Sequence, residues 1–134
     1  MLTGLRYLMN DRVGCRVSQY NHPFSFTSLL TCITVSRTLG GSAERLSPGA
    51  SSPTRRETCS SVYHIVEGKG YSIVDGKPID WKTSDTFCVP SWNTYQHFAG
   101  EGERCYFYRF DDKPMIESLG FYREESVDTE KYVS

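Results

Sequence analysis

The chain has 134 residues, one domain's worth and too few for two separate cores. Fifteen Lys and Arg against 16 Asp and Glu leave a net charge of −1, which excludes a broad electrostatic grip on nucleic acid or anionic lipid as the main activity. Hydrophobic residues at 38%, aromatics at 13%, 11 Gly and 6 Pro describe a globular, turn-rich chain rather than a disordered or coiled-coil one.

Residues 1–36 show no sustained alternation and no helical period, only short apolar patches such as Phe24-Ser25-Phe26 and Leu29-Leu30. They read as an irregular leader. The start, Met1 to Arg6, lacks the basic-then-apolar order of a signal peptide. Phe24 to Val35 is too short and too rich in Ser and Thr to span a bilayer. A soluble, cytoplasmic protein with no membrane or nucleic-acid partner is expected. The five cysteines, Cys15, Cys32, Cys59, Cys88 and Cys105, are odd in number, widely spaced and without a CxxC pair. They read as buried thiols in a reducing compartment, with Cys88 and Cys105 as core fillers.

Residues 37–111 carry nearly all the strand signals, with turn punctuation about every eight to twelve residues, the rhythm of an all-β sandwich or barrel. Ser61 to Glu67 is a β-branched and aromatic run stopped by Gly68-Lys69-Gly70. Tyr71 to Val74 and Lys77 to Trp81 flank Asp75-Gly76, a strong hairpin signal because a type I′ turn needs positive φ at both central positions. Asp85 to Val89 is the next strand, ended by Pro90. Tyr95 to Phe98 and Arg104 to Phe110 complete the set around Gly100-Glu101-Gly102. Residues 112–134 hold one short helix, Pro114 to Leu119 closed by Gly120, and a charged tail. Asp111-Asp112 reads as a helix N-cap and Glu124-Glu125 as a solvated end. With no βαβ alternation, a nucleotide-binding parallel sheet is excluded.

Three runs in this order carry a resemblance: Val62-Tyr63-His64-Ile65-Val66-Glu67-Gly68, Val89-Pro90-Ser91-Trp92, and Asp112 through Glu124. On these the chain resembles the cupin superfamily. More narrowly it is similar to the C-terminal cupin half of gentisate 1,2-dioxygenase and salicylate 1,2-dioxygenase-like ring-cleaving enzymes, over residues 37–125. The resemblance implies a single double-stranded β-helix, a jelly-roll-like barrel. It also implies an oxidoreductase lineage acting on aromatic compounds.

In such barrels the metal is held by two His and a Glu of a first motif and a His of a second. Carried onto this chain, those positions fall on Arg55, Glu57, Ser61 and Tyr95. A guanidinium is no ligand, and a serine hydroxyl is a poor one for Fe(II). The three histidines of the chain do not repair the set. His22 lies in the leader. His64 has odd spacing from Ser61, which puts it on the opposite strand face, half-exposed. His97 alone shares a face with Tyr95. Glu57 with His97 is the weak improvised metal pair, so no cofactor is expected, and Fe(II) only if that metal-free reading fails. No catalytic residue is assigned, and whether the chain is an enzyme is left open.

The same inward set, Arg55, Glu57, Ser61, Tyr95 and His97 beside Trp92, is the candidate binding site. Arg55 would fork to the acid of a small aromatic carboxylate, Tyr95 or His97 would bond a ring hydroxyl, and Trp92 would stack. The competing reading has Arg55 and Glu57 neutralising each other, with Tyr95 and His97 plugging the barrel. In these enzymes the iron sits as a rule in an N-terminal barrel for which this chain has no room. Tyr7 to Arg12 resembles the linker before the second barrel, and Arg37 to Gly40 the start of its first strand. Residues 17–36 match neither and read as an insertion or translated non-coding sequence. Two functions follow. One is a barrel that binds or helps process a small aromatic acid, as homodimer or as partner of an iron-bearing cupin. The other is a structural, dimerising cupin without ligand, with Tyr106 and Tyr108 on the associating surface.

Overall fold

The computed structural model describes residues 19–22, 25–34 and 36–127, with side chains described from residue 36 to 127. Two antiparallel sheets face each other. The larger contains β1 (Gln19–His22), β2 (Ser25–Thr34), β3 (Gly40–Leu46), β5 (Ser61–Glu67), β8 (Thr86–Val89) and β10 (Cys105–Asp111), in the order β1-β2-β3-β10-β5-β8. The smaller contains β4 (Arg55–Glu57), β6 (Lys69–Val74), β7 (Lys77–Lys82), β9 (Tyr95–Ala99) and β11 (Glu124–Ser126), in the order β11-β4-β9-β6-β7. Among the described residues a single short helix, α1 (Lys113–Ser118), follows β10.

Period-two alternation explains most of these strands. In β5 the residues Ser61, Tyr63 and Ile65 are buried, while Val62 and Val66 face outward. In β10 the buried positions are Cys105, Phe107 and Arg109. The inward residues of both sheets meet in one core around Leu46, Tyr63, Ile65, Trp81, Val89 and Phe107. The hairpin β6–β7 turns at Asp75 and Gly76, with φ of 50° and 76°, as the Asp-Gly pair requires. Gly70 sits where β6 passes closest to its neighbours: a Cβ there would overlap the Phe98 carbonyl oxygen and the Trp81 ring.

Several expectations change. Residues 19–22 and 25–34, read as irregular, form β1 and β2. The backbone of β2 pairs antiparallel with β3 from Thr27↔Leu46 to Thr34↔Gly40, covering an edge of the larger sheet that would otherwise leave its amides unpaired. Cys88 is exposed, not a core filler. It alternates with Phe87, which stacks on Tyr63 at 5.3 Å, and buried Val89, so the pleat turns its thiol outward. Cys105 is buried as expected. The helix N-cap position is Asp112, but its side chain makes no cap bond. Its Oδ1 accepts from the Ser60 backbone N–H at 2.8 Å, and Asp111 Oδ1 accepts from the Lys113 N–H at 3.2 Å. Glu124 and Glu125 are not a free solvated end, because β11 pairs with β4 and both form ion pairs there. Residues Tyr7 to Arg12 and Cys15 lie outside the described residues, as do the side chains of His22 and Cys32. Among the described residues no helix is long and apolar enough to cross a membrane.

Candidate functional site

The site is built where β4, β5, β9 and β10 converge. On β4, Arg56 points outward to Glu125, its Nη2 2.6 Å from Oε2, and strand parity sends Arg55 and Glu57 the other way. Glu57 is buried. Its Oε2 accepts from the Tyr95 hydroxyl at 2.6 Å and from Arg109 Nη2 at 2.8 Å, and its Oε1 accepts from the Tyr122 hydroxyl at 2.8 Å. Burial works to raise the Glu57 pKa, but Arg109 and the Tyr95 and Tyr122 hydroxyls outweigh it and hold the carboxyl below its usual range. Arg109 Nε also lies 3.0 Å from Asp111 Oδ2, and its Cζ stands 5.8 Å from the Tyr63 ring centroid. Glu44 belongs to the same electrostatic group. Burial lifts its carboxyl above the ordinary value against the pull of Arg109 and Arg55.

The second feature is a chain of polar contacts behind His97. Trp81 Nε1–H donates to Ser72 Oγ at 2.8 Å, and Ser72 Oγ lies 2.7 Å from His97 Nδ1. With one Ser72 lone pair taken by tryptophan and the residue fully buried, the hydroxyl proton is satisfied by pointing at Nδ1. That assigns the neutral tautomer with its proton on Nε2. Burial, then the positive charges of Arg109 and Arg55, push the His97 pKa down to about 3. Nε2 and the Tyr63 hydroxyl are buried with no hydrogen-bond partner among the described residues. Rings fill the space around His97: Tyr63 at 4.6 Å, Tyr95 at 5.4 Å, Phe107 at 5.5 Å and Phe87 at 5.9 Å between centroids.

Of the six expected site residues, Glu57, Ser61, Tyr95 and His97 are buried. Arg55 stays at the rim with its side chain 18% exposed, Nη1 3.5 Å from Glu124 Oε1. Trp92 departs from the expected stacking position. Its φ of +64° and its N–H bond to the Glu57 carbonyl at 2.7 Å turn the chain, and its ring lies 4.5 Å under Arg56 Cζ, on the outward side of β4. Glu57 is paired with Arg109, and Arg55 forms an ion pair with Glu124. His64 is on the outer face, half-buried, its Nδ1 2.9 Å from Thr86 Oγ1, as read from its spacing. The sequence reading missed Arg109, Tyr63, Ser72 and Tyr122. For Arg109 a signal existed, since it shares strand parity with Cys105 and Phe107.

The donor set does not fit a transition metal. Among the described residues no group of three or more His, Cys, Asp or Glu is placed to hold an ion. Both Glu57 oxygens are engaged, and the neighbouring Tyr95, Ser61 and Arg55 offer a phenol, an alcohol and a cation.

No family model matches the sequence. The chain is 35% identical over 89 residues to a 5-aminosalicylate 1,2-dioxygenase of Comamonas sp, 66% of this chain and 24% of that protein. It is 35% identical over 71 residues to gentisate 1,2-dioxygenase 1 of Aquipseudomonas alcaligenes, 53% of this chain and 20% of the relative. The chain thus spans about a quarter or less of these relatives' length. Among solved structures it superposes on a salicylate 1,2-dioxygenase from Pseudaminobacter salicylatoxidans with TM-score 0.71 and 27% identity, over 81% of this chain and 32% of that one. The Schizosaccharomyces pombe Cnp3 cupin domain shares the fold alone, with TM-score 0.63 and 16% identity over 86% of this chain and 78% of that one. The chain is a cupin that resembles the gentisate and salicylate 1,2-dioxygenases.

Proposed function

We propose that this chain is a metal-free cupin barrel of the gentisate and salicylate dioxygenase type that works beside an iron-bearing barrel and engages a small aromatic carboxylate at its mouth. The observation that carries the reading is the Arg55–Glu124 pair. It is loose, at 3.5 Å, and the Glu124 side chain is 35% exposed. Glu124 is reachable from solvent, so an incoming carboxylate can compete with it for a guanidinium whose planar fork suits such a group. The buried Glu57–Arg109 pair is the opposite case: both partners are desolvated and each depends on the other. Ring cleavage belongs to the iron-bearing partner, because both Glu57 oxygens are held by internal bonds and His97 is a single imidazole enclosed by aromatic rings. The free thiols Cys59, Cys88 and Cys105 favour a reducing, cytoplasmic setting.

Titration of the full chain with gentisate and salicylate, read by calorimetry and tryptophan fluorescence, tests the reading. Saturable binding is expected, weakened at least about tenfold, 1.4 kcal/mol, in Arg55→Ala, with no oxygen uptake by this chain alone. Absence of binding, or binding indifferent to Arg55→Ala, counts against it. The second reading, a dimerising module without ligand, is favoured by the ring-filled interior around His97. A concentration-dependent dimer in sedimentation, silent to both acids, would support that one instead.

A further inference from the structure

We infer that the Arg109 guanidinium stands in the place a metal ion takes in a metal-bearing barrel of this type, as a built-in cation that completes the interior charge and shuts a divalent ion out. The inference rests on the metal-free reading above and names the residue responsible for it. Two of the four positions that the cupin resemblance assigns to metal ligands are Glu57 and Tyr95, and both converge on this one group. Arg109 Nη2 lies 2.8 Å from Glu57 Oε2, and Nη1 lies 3.4 Å from the Tyr95 hydroxyl. Two further groups of ligand type, a carboxylate and a thiol, complete the surround: Asp111 Oδ2 at 3.0 Å from Nε and Cys59 Sγ at 3.5 Å from Nη2.

The chemistry of the group makes the replacement permanent. A guanidinium keeps its proton at any pH the fold survives, so Arg109 can neither step aside as a neutral base nor become a ligand. Its side chain is only 8% exposed, so its charge acts at close range with little screening. A divalent ion entering this space would meet a fixed positive charge. It would also find Glu57 Oε1 held by Tyr122 and Oε2 by Tyr95. Glu57 is therefore satisfied without metal, and Asp111 has its counter-charge beside it.

Co(II) is the probe, because its ligand-field absorption and its effect on the melting temperature are both independent of activity. The full-length wild type is expected to show no Co(II) spectrum and a melting temperature unmoved by equimolar Co(II) or by EDTA. Arg109→Met is expected to melt lower, to bind Co(II) at least tenfold more tightly than wild type, and to regain melting temperature with it. Arg109→Lys keeps a cation without the fork, and should fold with intermediate stability while still refusing Co(II). Stoichiometric Co(II) in wild type that is lost in Glu57→Gln overturns the inference and the metal-free reading together. A folded Arg109→Met that is as indifferent to Co(II) as wild type overturns the inference alone. Should Arg109→Met not fold, the wild-type and Arg109→Lys titrations decide: Co(II) at the Glu57 site in either one overturns it.

Discussion

Acid should weaken this fold through His97, which is buried as a neutral imidazole. In the folded chain the imidazole is neutral with a pKa of about 3, whereas the ordinary value is 6.5. The folded value lies below the unfolded one, so below pH 6.5 the unfolded chain takes up a proton that the folded chain refuses. The stability contributed by neutral burial is complete above pH 6.5 and drains away as the pH falls toward 3. At pH 5 the unfolded state has gained about 2 kcal/mol from this group, a large part of a total stability of order 5–15 kcal/mol. The groups acting on the ring are Arg109 and Arg55 electrostatically, Ser72 by hydrogen bond, and Tyr63, Tyr95, Phe87 and Phe107 by contact. Glu44 and Glu57 titrate in the same interior but are common to wild type and variant. Urea unfolding of wild type and His97→Asn at pH 7.5, 6.5 and 5.0, at constant ionic strength, isolates the term. Asn keeps an acceptor for the Ser72 hydroxyl and cannot titrate. The variant starts less stable, and the gap should narrow by about 2 kcal/mol between pH 7.5 and 5.0. A gap that stays constant to within about 0.5 kcal/mol, the usual scatter of independent effects, would refute the buried neutral imidazole.

Two other outcomes test the architecture. Gly70→Ala should destabilise by about 1–3 kcal/mol through overpacking, because the new methyl meets the Phe98 carbonyl and Trp81. Gly76→Ala, with open space around it and φ of +76°, should cost about 1 kcal/mol from backbone strain alone, and equal losses in urea unfolding would contradict the close approach at Gly70. Thiol titration of the native protein should find Cys88 fast and Cys59 and Cys105 slow until denaturant is added. Burial pushes the Cys59 thiol up to about 12, so little thiolate is present there. Loss of one fast-reacting thiol in Cys88→Ser confirms the assignment, and an unchanged fast phase would refute it.

The strands that could be read ahead of the structure are those whose alternation and turn residues agree. Ser61–Glu67 was bounded by the sequence to the residue, and the Asp75-Gly76 hairpin followed from the φ angles that pair can adopt. Where side-chain pattern was absent, backbone pairing decided the outcome. β2 has no alternation to announce it, yet β3 offers an edge of unpaired amides and the chain pairs along it. β11 follows the same logic on a smaller scale. Its Glu124 and Glu125 look solvated in sequence, but Arg55 and Arg56 on β4 give them partners. Cys88 shows the reverse: the apolar surroundings of its strand suggest burial, but its place in the alternation, one step from Phe87 and Val89, turns it outward.

The site shows why a charge is harder to assign than an apolar residue. Arg109 follows Phe107 on the inward face of β10, and an alternation rule applied without regard to residue type would have placed it in the core. Arginine is so often external that the rule is usually suspended for it. The same suspension left Glu57 to be matched with Arg55, its near neighbour in sequence, instead of with Arg109, 52 residues away. Strand parity separates the two cases. Arg55 begins a three-residue strand at the rim, where water remains in reach, and Arg109 lies beyond Phe107 on a central strand, flanked by β3 and β5. A carboxylate buried as deeply as Glu57 needs a partner buried to the same depth, because a rim arginine would keep its own solvation and leave the acid exposed to the full desolvation cost. Among the described residues Arg109 is the cation that meets that condition.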